Sequence, residues 1–323
     1  MGETNNIAES ELRWAGLELT NIDTNGIFLI TGGTGSLGKE FVKFISQNFT
    51  PRKIIIYSRD EYKQGIMAEE FAHIPSIRFL IGDVRDERRL KQAFENVDYV
   101  IHAAALKQIP TIEYNPTEAI RTNIDGTVNV IEACLANKVK RAILISTDKA
   151  CEPINLYGAT KLAAEKLFLT ANVYCRTRFA AVRYGNVLAS RGSIIETFLE
   201  LKKKNIKVFP ITCLTMTRFW ITLEQAVKLC WFALNAEENK IFVPRLPSMR
   251  IADIAKAIEP SCEFDIIGIR PGEKIHEKMI GQENNNISFV DIDLAAYLTP
   301  IPTNYSSDTN NLWLSALELR KCV

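Results

Sequence analysis

This sequence of 323 residues lacks several features that would indicate particular classes of protein. Its seven cysteines form no C-x-x-C pair and its three histidines show no ligand spacing, so we expect reduced thiols, no disulfide framework and no metal site. The formal net charge of +1 argues against a nucleic-acid or anionic membrane partner. The apolar runs are too short to span a membrane, and the polar, acidic start lacks the pattern of a signal peptide. The sequence therefore predicts a cytoplasmic location.

The sequence does contain a regular alternation of short apolar runs and helical patterns. The apolar runs suit strands buried on both faces of a parallel sheet, and they are residues 26–31, 53–58, 77–82, 98–103, 141–146 and 178–185. Helical patterns such as SLGKEFVKFISQN lie between them. This alternation predicts an α/β fold of the Rossmann type, with a doubly wound parallel sheet.

A glycine-rich turn directly follows the first predicted strand. The segment TGGTGSLG, residues 31–38, spaces three glycines between a strand and a helix. Glycine permits a close approach of the backbone to a pyrophosphate, and the helix N-terminus supplies N–H donors. A plain tight turn is the alternative, but the context favours a dinucleotide site. Its predicted residues are Gly32, Thr34, Gly35, Ser36, Leu37 and Gly38.

The end of the second predicted strand bears on the choice between NAD and NADP. An NAD site usually has an acidic residue here to hold the ribose 2′-hydroxyl, whereas this chain has Ser58 and Arg59. A hydroxyl and a guanidinium suit a 2′-phosphate, because arginine forms charge-assisted bidentate bonds. Two alternatives stay open: Arg59 could be a solvated surface charge, and Asp60 could imitate the NAD pattern. The sequence favours NADP over NAD.

The ends of later strands complete the predicted cofactor site. Asp83 is placed to meet the adenine, and two alanines after the fourth strand leave room for the cofactor to lie flat. The residues expected to join the site here are Asp83, Val84, Ala103, Ala104 and Val187.

The predicted domain organisation has three parts. Residues 1–25 precede the first strand and are expected to form a mobile N-terminal extension. Residues 26–190, with a last pair of sheet elements around 214–243, are expected to form the dinucleotide-binding domain. The alternation loosens after that, so residues 191–213 and 244–323 are expected to form a smaller, mixed α/β substrate-binding domain.

The segment STDKACEPINLYGATK places a polar cluster after the fifth predicted strand. Tyr157 precedes Lys161 by one helical turn, so both side chains lie on the same helix face. A free tyrosine has a pKa of about 10 and is a poor base at neutral pH, but a nearby ammonium favours the phenolate. Thr147 can hydrogen-bond the same oxygen. The alternative is an exposed Tyr–Lys pair, and for Asp148 and Lys149 a surface ion pair.

These motifs together resemble a known family. The glycine turn with Tyr157-x-x-x-Lys161 looks like the extended short-chain dehydrogenase/reductase superfamily. The segments YSRDE, GDVRD, HAAALKQIP, STDKA, PINLYGATK, RYGNV, SRGS, MTRFWITL and RPGEK make the chain similar to the soluble, C5-inverting UDP-N-acetylglucosamine 4,6-dehydratases. The resemblance implies tightly bound, recycled NADP and a homo-oligomer, either a dimer or a hexamer. It also implies a role in pseudaminic acid biosynthesis for protein glycosylation.

The family reaction gives the polar cluster a chemical role. It is a hydro-lyase reaction in which C4 is oxidised, water leaves across C5–C6, and the hydride returns to C6, giving UDP-2-acetamido-2,6-dideoxy-β-L-arabino-hexos-4-ulose. Asp148 and Lys149 would serve the elimination, where retaining relatives carry Asp-Glu. A lysine base must be neutral, so the pKa of Lys149 is expected to fall below its ordinary value of about 10.4. The predicted catalytic residues are Thr147, Asp148, Lys149, Tyr157 and Lys161.

The same resemblance implies a set of substrate-binding residues. Arg191 and Arg270 are suited to a diphosphate, although each alone could be a surface charge. Lys107 is also a candidate for the cation that lowers the pKa of Lys149. The predicted set is Lys107, Asn186, Arg191, Thr212 and Arg270.

Three alternative functions stay open on the residues. A sugar-nucleotide 4-epimerase stops at the ketone and has no use for Asp148 and Lys149. A retaining 4,6-dehydratase of the membrane-anchored kind has methionine where this chain has Tyr157. An NADP-sensing binding protein on the same fold would tend to lose Tyr157 or Lys161, and both are present here.

Overall fold

A computed structural model describes residues 21–173, 176–188, 192–282 and 286–322 of the chain. The predicted mobility of residues 1–20 and the predicted substrate residue Arg191 lie outside these described residues. Residues 21–25 of the predicted extension pack against the fold. Ile22 is buried, and the backbone N–H of Asp23 donates to the phenol oxygen of Tyr99 at 2.6 Å.

Strands and helices alternate over most of the described chain. In chain order, the strands are β1 (Ile27–Thr31), β2 (Lys53–Ser58), β3 (Ile77–Ile81), β4 (Tyr99–His102), β5 (Arg141–Ile145), β6 (Arg178–Val182), β7 (Asn186–Val187), β8 (Val208–Ile211), β9 (Thr217–Ile221), β10 (Ile241–Pro244), β11 (Ser248–Arg250), β12 (Glu263–Ile266), β13 (Lys278–Ile280), β14 (Ile287–Asp291), β15 (Ala296–Tyr297) and β16 (Tyr305–Ser306). The helices are α1 (Ser36–Asn48), α2 (Glu61–Glu70), α3 (Glu87–Ala93), α4 (Ile109–Tyr114), α5 (Pro116–Ile120), α6 (Gly126–Ala136), α7 (Leu156–Thr170), α8 (Ile194–Lys203), α9 (Leu223–Asn235), α10 (Ile251–Ile258) and α11 (Ala316–Cys322). None of the described helices is long and apolar enough to cross a membrane.

The central sheet has the strand order β15-β14-β10-β6-β5-β4-β1-β2-β3. Its neighbouring strands are parallel, except that β15 runs antiparallel to β14. The six strands predicted from the sequence are β1 to β6, so that prediction is confirmed. The strand order reverses between β1 and β4, and right-handed crossovers on the two sides of this point place helices on opposite faces. Ligands of such sheets bind in the crevice at the carboxyl ends of the strands.

Two apolar cores lie on either side of β9. Phe219 belongs to the core of the central sheet, whereas Trp220 belongs to a second core built mainly from residues 188–264. Neighbouring residues of a strand face opposite sides, so this one strand contributes to both cores. The predicted substrate segment 244–323 also contributes β14 to the central sheet. The chain therefore passes between the two units several times, and the domain limits stay a prediction.

Candidate active site

The glycine-rich turn lies between β1 and α1, at the point where the strand order reverses. Gly32 has φ +65°, and a Cβ there would lie 2.8 Å from Cα of Ala104, so only glycine fits between these two loops. Gly35 is the N-cap of α1 and makes no side-chain capping bond. The first N–H groups of the helix are therefore left for another acceptor. This turn fits the pyrophosphate of a dinucleotide.

The end of β2 holds the residues that bear on the 2′-position of the ribose. The side chain of Arg59 is 51% exposed, and its Nη1 lies 3.4 Å from Oδ2 of Asp83. Asp60 caps α2 by accepting from the backbone N–H of Lys63 at 3.0 Å, and it also forms an ion pair with Lys63 Nζ. Asp60 is thus engaged in the helix start, and the assignment of Ser58 and Arg59 to the ribose stays a prediction.

The other predicted cofactor residues lie at the same edge of the sheet. Thr34 Oγ1 and Ser58 Oγ are 3.0 Å apart, which links the glycine turn to the end of β2. Burial raises the pKa of the Asp83 carboxyl, but its hydrogen bonds with Arg85 outweigh burial and lower the pKa overall. The remaining members follow β1, β3, β4 or β6 in the chain, and they are Ser36, Leu37, Val84, Ala103 and Val187.

The polar cluster after β5 is buried. Asp148 begins a short 3-10 turn, Asp148–Ala150, and has no exposed surface. Its Oδ1 accepts hydrogen bonds from Thr147 Oγ1 at 2.9 Å and from Lys149 Nζ at 2.9 Å. The Lys149 ammonium also lies 3.2 Å from Oε1 of Glu277, and its side chain is 19% exposed. The pair is therefore not a surface ion pair, and Glu277 is a third ionisable member.

The charges of this cluster differ from the sequence-based prediction. Burial alone lowers the pKa of Lys149, but the carboxylates of Asp148 and Glu277 outweigh burial and raise that pKa. The predicted fall in the pKa of Lys149 is therefore wrong for the free chain. Burial and the nearby Glu277 carboxylate raise the pKa of Asp148. The pKa of Glu277 is lowered, because Lys149 and Arg218 outweigh its burial.

Tyr157 lies beside this cluster, in the first turn of α7. Burial raises the pKa of its phenol to about 12, opposed by the charge of Lys149 and by the Thr147 hydroxyl. The sequence assigned the favourable charge to Lys161, whereas in the structure the cation that lowers the pKa of Tyr157 is Lys149. The Thr147 hydroxyl donates to Asp148 Oδ1 at 2.9 Å and also lowers the pKa of the phenol, so its predicted hydrogen bond to that phenol stays a prediction. Thr147 and Lys149 therefore act on both Asp148 and Tyr157.

Lys161 lies one turn further along α7 and is buried. Burial lowers the pKa of its ammonium to about 8, although the Glu165 carboxylate acts in the opposite direction. Asn155 caps α7 by accepting from the backbone N–H of Gly158 at 2.8 Å. The amide of the same Asn155 donates to the backbone oxygen of Gly272 at 2.7 Å. The helix that carries Tyr157 and Lys161 is therefore tied to the RPGEK turn.

The predicted substrate residues lie on several elements around this edge. Thr212 and Arg270 follow β8 and β12, which are paired in parallel, so both lie beyond the same ends of that pair. Asn186 is in β7, which pairs with β9, and Lys107 is exposed between β4 and α4. Their common role in substrate binding stays a prediction.

Sequence reasoning missed Glu277 and Arg218 as members of the site. Arg218 lies inside the motif MTRFWITL, whose resemblance was noted without a role, and Glu277 lies in the charged segment GEKIHEKM. Charged runs of this kind are usually solvated, yet Glu277 and Arg218 are only 2% and 5% exposed. The motif match was the one sequence signal that could have pointed to Arg218.

The fold and the site define an α/β protein of the Rossmann type with a Tyr-x-x-x-Lys pair at the carboxyl ends of its strands. The chain belongs to the polysaccharide biosynthesis protein family, whose model matches residues 28–294.

Comparisons with known proteins show which enzymes the chain is similar to. The chain is 48% identical to UDP-N-acetylglucosamine 4,6-dehydratase (inverting) of Campylobacter jejuni, over 91% of this chain and 96% of that protein. It is 43% identical to UDP-glucose 4-epimerase of Rickettsia bellii, over 79% of this chain and 77% of that protein. The X-ray structure of Pen from Bacillus thuringiensis superposes with a TM-score of 0.81 at 36% identity, covering 92% and 96% of the two chains. The resemblance to inverting dehydratases is confirmed.

Proposed function

We propose that this protein is an NADP-dependent UDP-N-acetylglucosamine 4,6-dehydratase that inverts C5. The observation that carries the proposal is the buried Asp148–Lys149 pair beside Tyr157, in a chain 48% identical to an inverting dehydratase. A 4-epimerase is the second candidate, because relatives with that name are 43% identical. Epimerisation needs only the C4 step, and it leaves a buried acid and ammonium without a task. The cytoplasmic location stays a prediction from composition, and the homo-oligomer and the role in pseudaminic acid biosynthesis stay predictions from the resemblance.

The first step of the proposed reaction is oxidation at C4. Tyr157 takes the proton of the 4-hydroxyl, and this is easier because Lys149 and Thr147 stabilise the phenolate. The glycine turn, Ser58 and Arg59 would hold NADP, which, when bound, accepts the hydride from C4 and returns it to C6.

The second step is loss of water across C5–C6. The ketone at C4 acidifies the C5 proton. Lys149 takes that proton after its ammonium has given one to Asp148 Oδ1, to which it is hydrogen-bonded at 2.9 Å. The electron pair of the C5–H bond forms the C5–C6 double bond, and the C6–O bond breaks. Asp148, whose raised pKa favours its protonated form, gives a proton to the leaving hydroxide to make water. C5 then gains a solvent-derived proton on the opposite face, which inverts its configuration, and Lys149 releases to solvent the proton that it took.

Incubation with UDP-N-acetylglucosamine in D₂O, followed by NMR of the product, tests this function. The expected product is a 4-keto-6-deoxy sugar nucleotide with deuterium at C5 and inverted C5 configuration. Reduced cofactor should not accumulate, because the same hydride leaves C4 and returns to C6. An epimerase would instead give the C4 epimer with the original hydrogen at C5, and that product would reject the dehydratase.

Arg59→Ala tests the choice of NADP. If the guanidinium binds the 2′-phosphate, NADP affinity should fall by about ten-fold, the low end for a charged hydrogen bond, because Arg59 is half exposed. NAD affinity should stay within about two-fold, since NAD has no 2′-phosphate. Calorimetric titration of both cofactors gives the two affinities. Arg52→Ala is the matched control, because Arg52 is exposed and also lies 3.4 Å from an aspartate. Equal weakening of both cofactors by Arg59→Ala would assign Arg59 a structural role.

A further inference from the structure

Glu277 is held firmly just before β13, directly behind Lys149. Its backbone N–H donates to Ser307 Oγ at 2.9 Å, and its backbone oxygen accepts from the N–H of Ser307 at 2.8 Å. Ser307 Oγ in turn lies 2.6 Å from Thr217 Oγ1. The backbone on both sides of this glutamate is therefore fixed to β9 and to the segment that follows β16.

Arg218 fixes the same segment from the side of β9. Its guanidinium donates to the backbone oxygens of Lys274 at 2.9 Å and Ile275 at 3.0 Å. Its Nε lies 3.8 Å from Oε1 of Glu277. Glu277 Oε1 is therefore flanked by two cations, Arg218 on one side and Lys149 on the other.

Two carboxylate oxygens in this cluster have no hydrogen-bond partner among the described residues. They are Oδ2 of Asp148 and Oε2 of Glu277, and both are buried. Buried polar atoms are nearly always paired, because an unpaired one loses its interaction with water. Each such exception requires an explanation, and a chemical role of the group is one of them.

We propose that Glu277 is a positioning residue of the dehydration, whose carboxylate holds Lys149 Nζ against Asp148 and sets how the protons are shared between them. The proposal rests on the proposed function, because it assigns Glu277 to the elimination step. Glu277 acts through Lys149, since Lys149 is the more exposed of the two side chains. The Asp148–Lys149 pair contains one carboxylate, and Glu277 supplies a second one from a distant segment of the chain.

The charges around Glu277 give the sign of the expected effect. The groups that face it are Asp148, Lys149, Arg218 and Lys274, with Glu273 on the far side of Arg218 and Tyr157 beside Lys149. Glu277 raises the pKa of Lys149 and also that of Asp148. Replacing its charge by a neutral amide lowers both pKa values, so both limbs of the pH–rate profile move to lower pH.

Glu277→Gln and Glu277→Asp separate charge from shape. Glu277→Gln keeps the size and removes the charge, and it should move the pH optimum of kcat down by about one unit while KM stays within about two-fold. Glu277→Asp keeps the charge and shortens the side chain, so it should lower kcat with the optimum near that of the wild type. Glu152→Gln is the matched control, because Glu152 pairs with Lys278, the residue next to Glu277, at an exposed site.

A second readout does not need turnover. Lysine labelled with ¹³C at Cε reports the pKa of Lys149 by NMR, with its resonance assigned by its absence from Lys149→Met. The pKa should be lower in Glu277→Gln than in the wild type and unchanged in Glu152→Gln. An unmoved Lys149 pKa, or a pH optimum equal in Glu277→Gln and the wild type, would overturn the role of Glu277. Absence of dehydration by the wild type would instead reject the proposed function. The NMR titration would still show whether Glu277 acts on Lys149.

Discussion

The Lys149→Met protein is expected to oxidise C4 more slowly, because the phenolate of Tyr157 loses its neighbouring cation, and to leave the C5 hydrogen in place. Methionine has nearly the length of lysine but no amine, so no group at this position can take the C5 proton. General acid–base catalysis contributes about 10²–10⁴-fold, so dehydration should fall by at least about a hundred-fold. Single-turnover measurements should show reduced cofactor that persists or declines by return of hydride to C4, without 4-keto-6-deoxy product. Clear deuterium at C5 of the sugar in D₂O would show that another group removes the proton.

The control for this variant must allow for its effect on stability. Lys149→Met leaves two buried carboxylates, Asp148 and Glu277, without their shared cation, which is a destabilising change. The thermal midpoint of unfolding should therefore be measured alongside turnover. Lys278→Met is the matched lysine control, because its partner Glu152 is exposed and neither residue belongs to the proposed machinery. It should retain wild-type dehydration.

The Tyr157→Phe protein is expected to bind substrate and fail at the first step. The change removes only the phenol oxygen, which the proposed reaction uses as the base for the 4-hydroxyl. Turnover should fall by at least about a hundred-fold, while substrate affinity measured by calorimetry stays within about five-fold. No reduced cofactor should form, in contrast with Lys149→Met.

A matched control for the loss of a phenol is Tyr297→Phe. Tyr297 donates to Glu238 at the far edge of the central sheet, on β15, away from the ends of β1 to β6. Its loss should leave turnover unchanged. If Tyr157→Phe retained near-normal turnover, the C4 base would have to be another residue.

The strands of the nucleotide-binding half could be predicted because their signal is local. Each of β1 to β6 is a short apolar run next to a turn or helical pattern, although β3, at the edge of the sheet, is only partly buried. β14 joins the same sheet after a long excursion through the second core, so its place depends on tertiary pairing. The periodicity of apolar residues does not indicate which strands pair with each other.

Prediction of the polar cluster after β5 from the sequence was limited in a similar way. The motif placed Asp148, Lys149 and Tyr157 together, because they are close in sequence after one strand. The predicted direction of the pKa shift of Lys149 was wrong because the carboxylates of Asp148 and Glu277 together outweigh burial, and Glu277 reaches the site from a remote segment. Burial lowers the pKa of Lys149, whereas the two carboxylates raise it. The distances of 2.9 Å and 3.2 Å from Lys149 Nζ to Asp148 and Glu277, which the sequence does not give, explain why the carboxylates outweigh burial.

The pairing of Lys149 with Glu277 also constrains how such a site can evolve. A glutamate at position 149, as in the Asp-Glu pair of retaining enzymes, would gather three carboxylates around one buried point, with Arg218 as the nearest remaining cation. Like charges at such distances destabilise one another strongly when water is excluded. A lineage that exchanges the lysine must therefore first lose or neutralise the acid at position 277, or gain a new cation. We expect a chain with an acid at position 149 and Glu277 unchanged to be less stable than one in which both positions have changed.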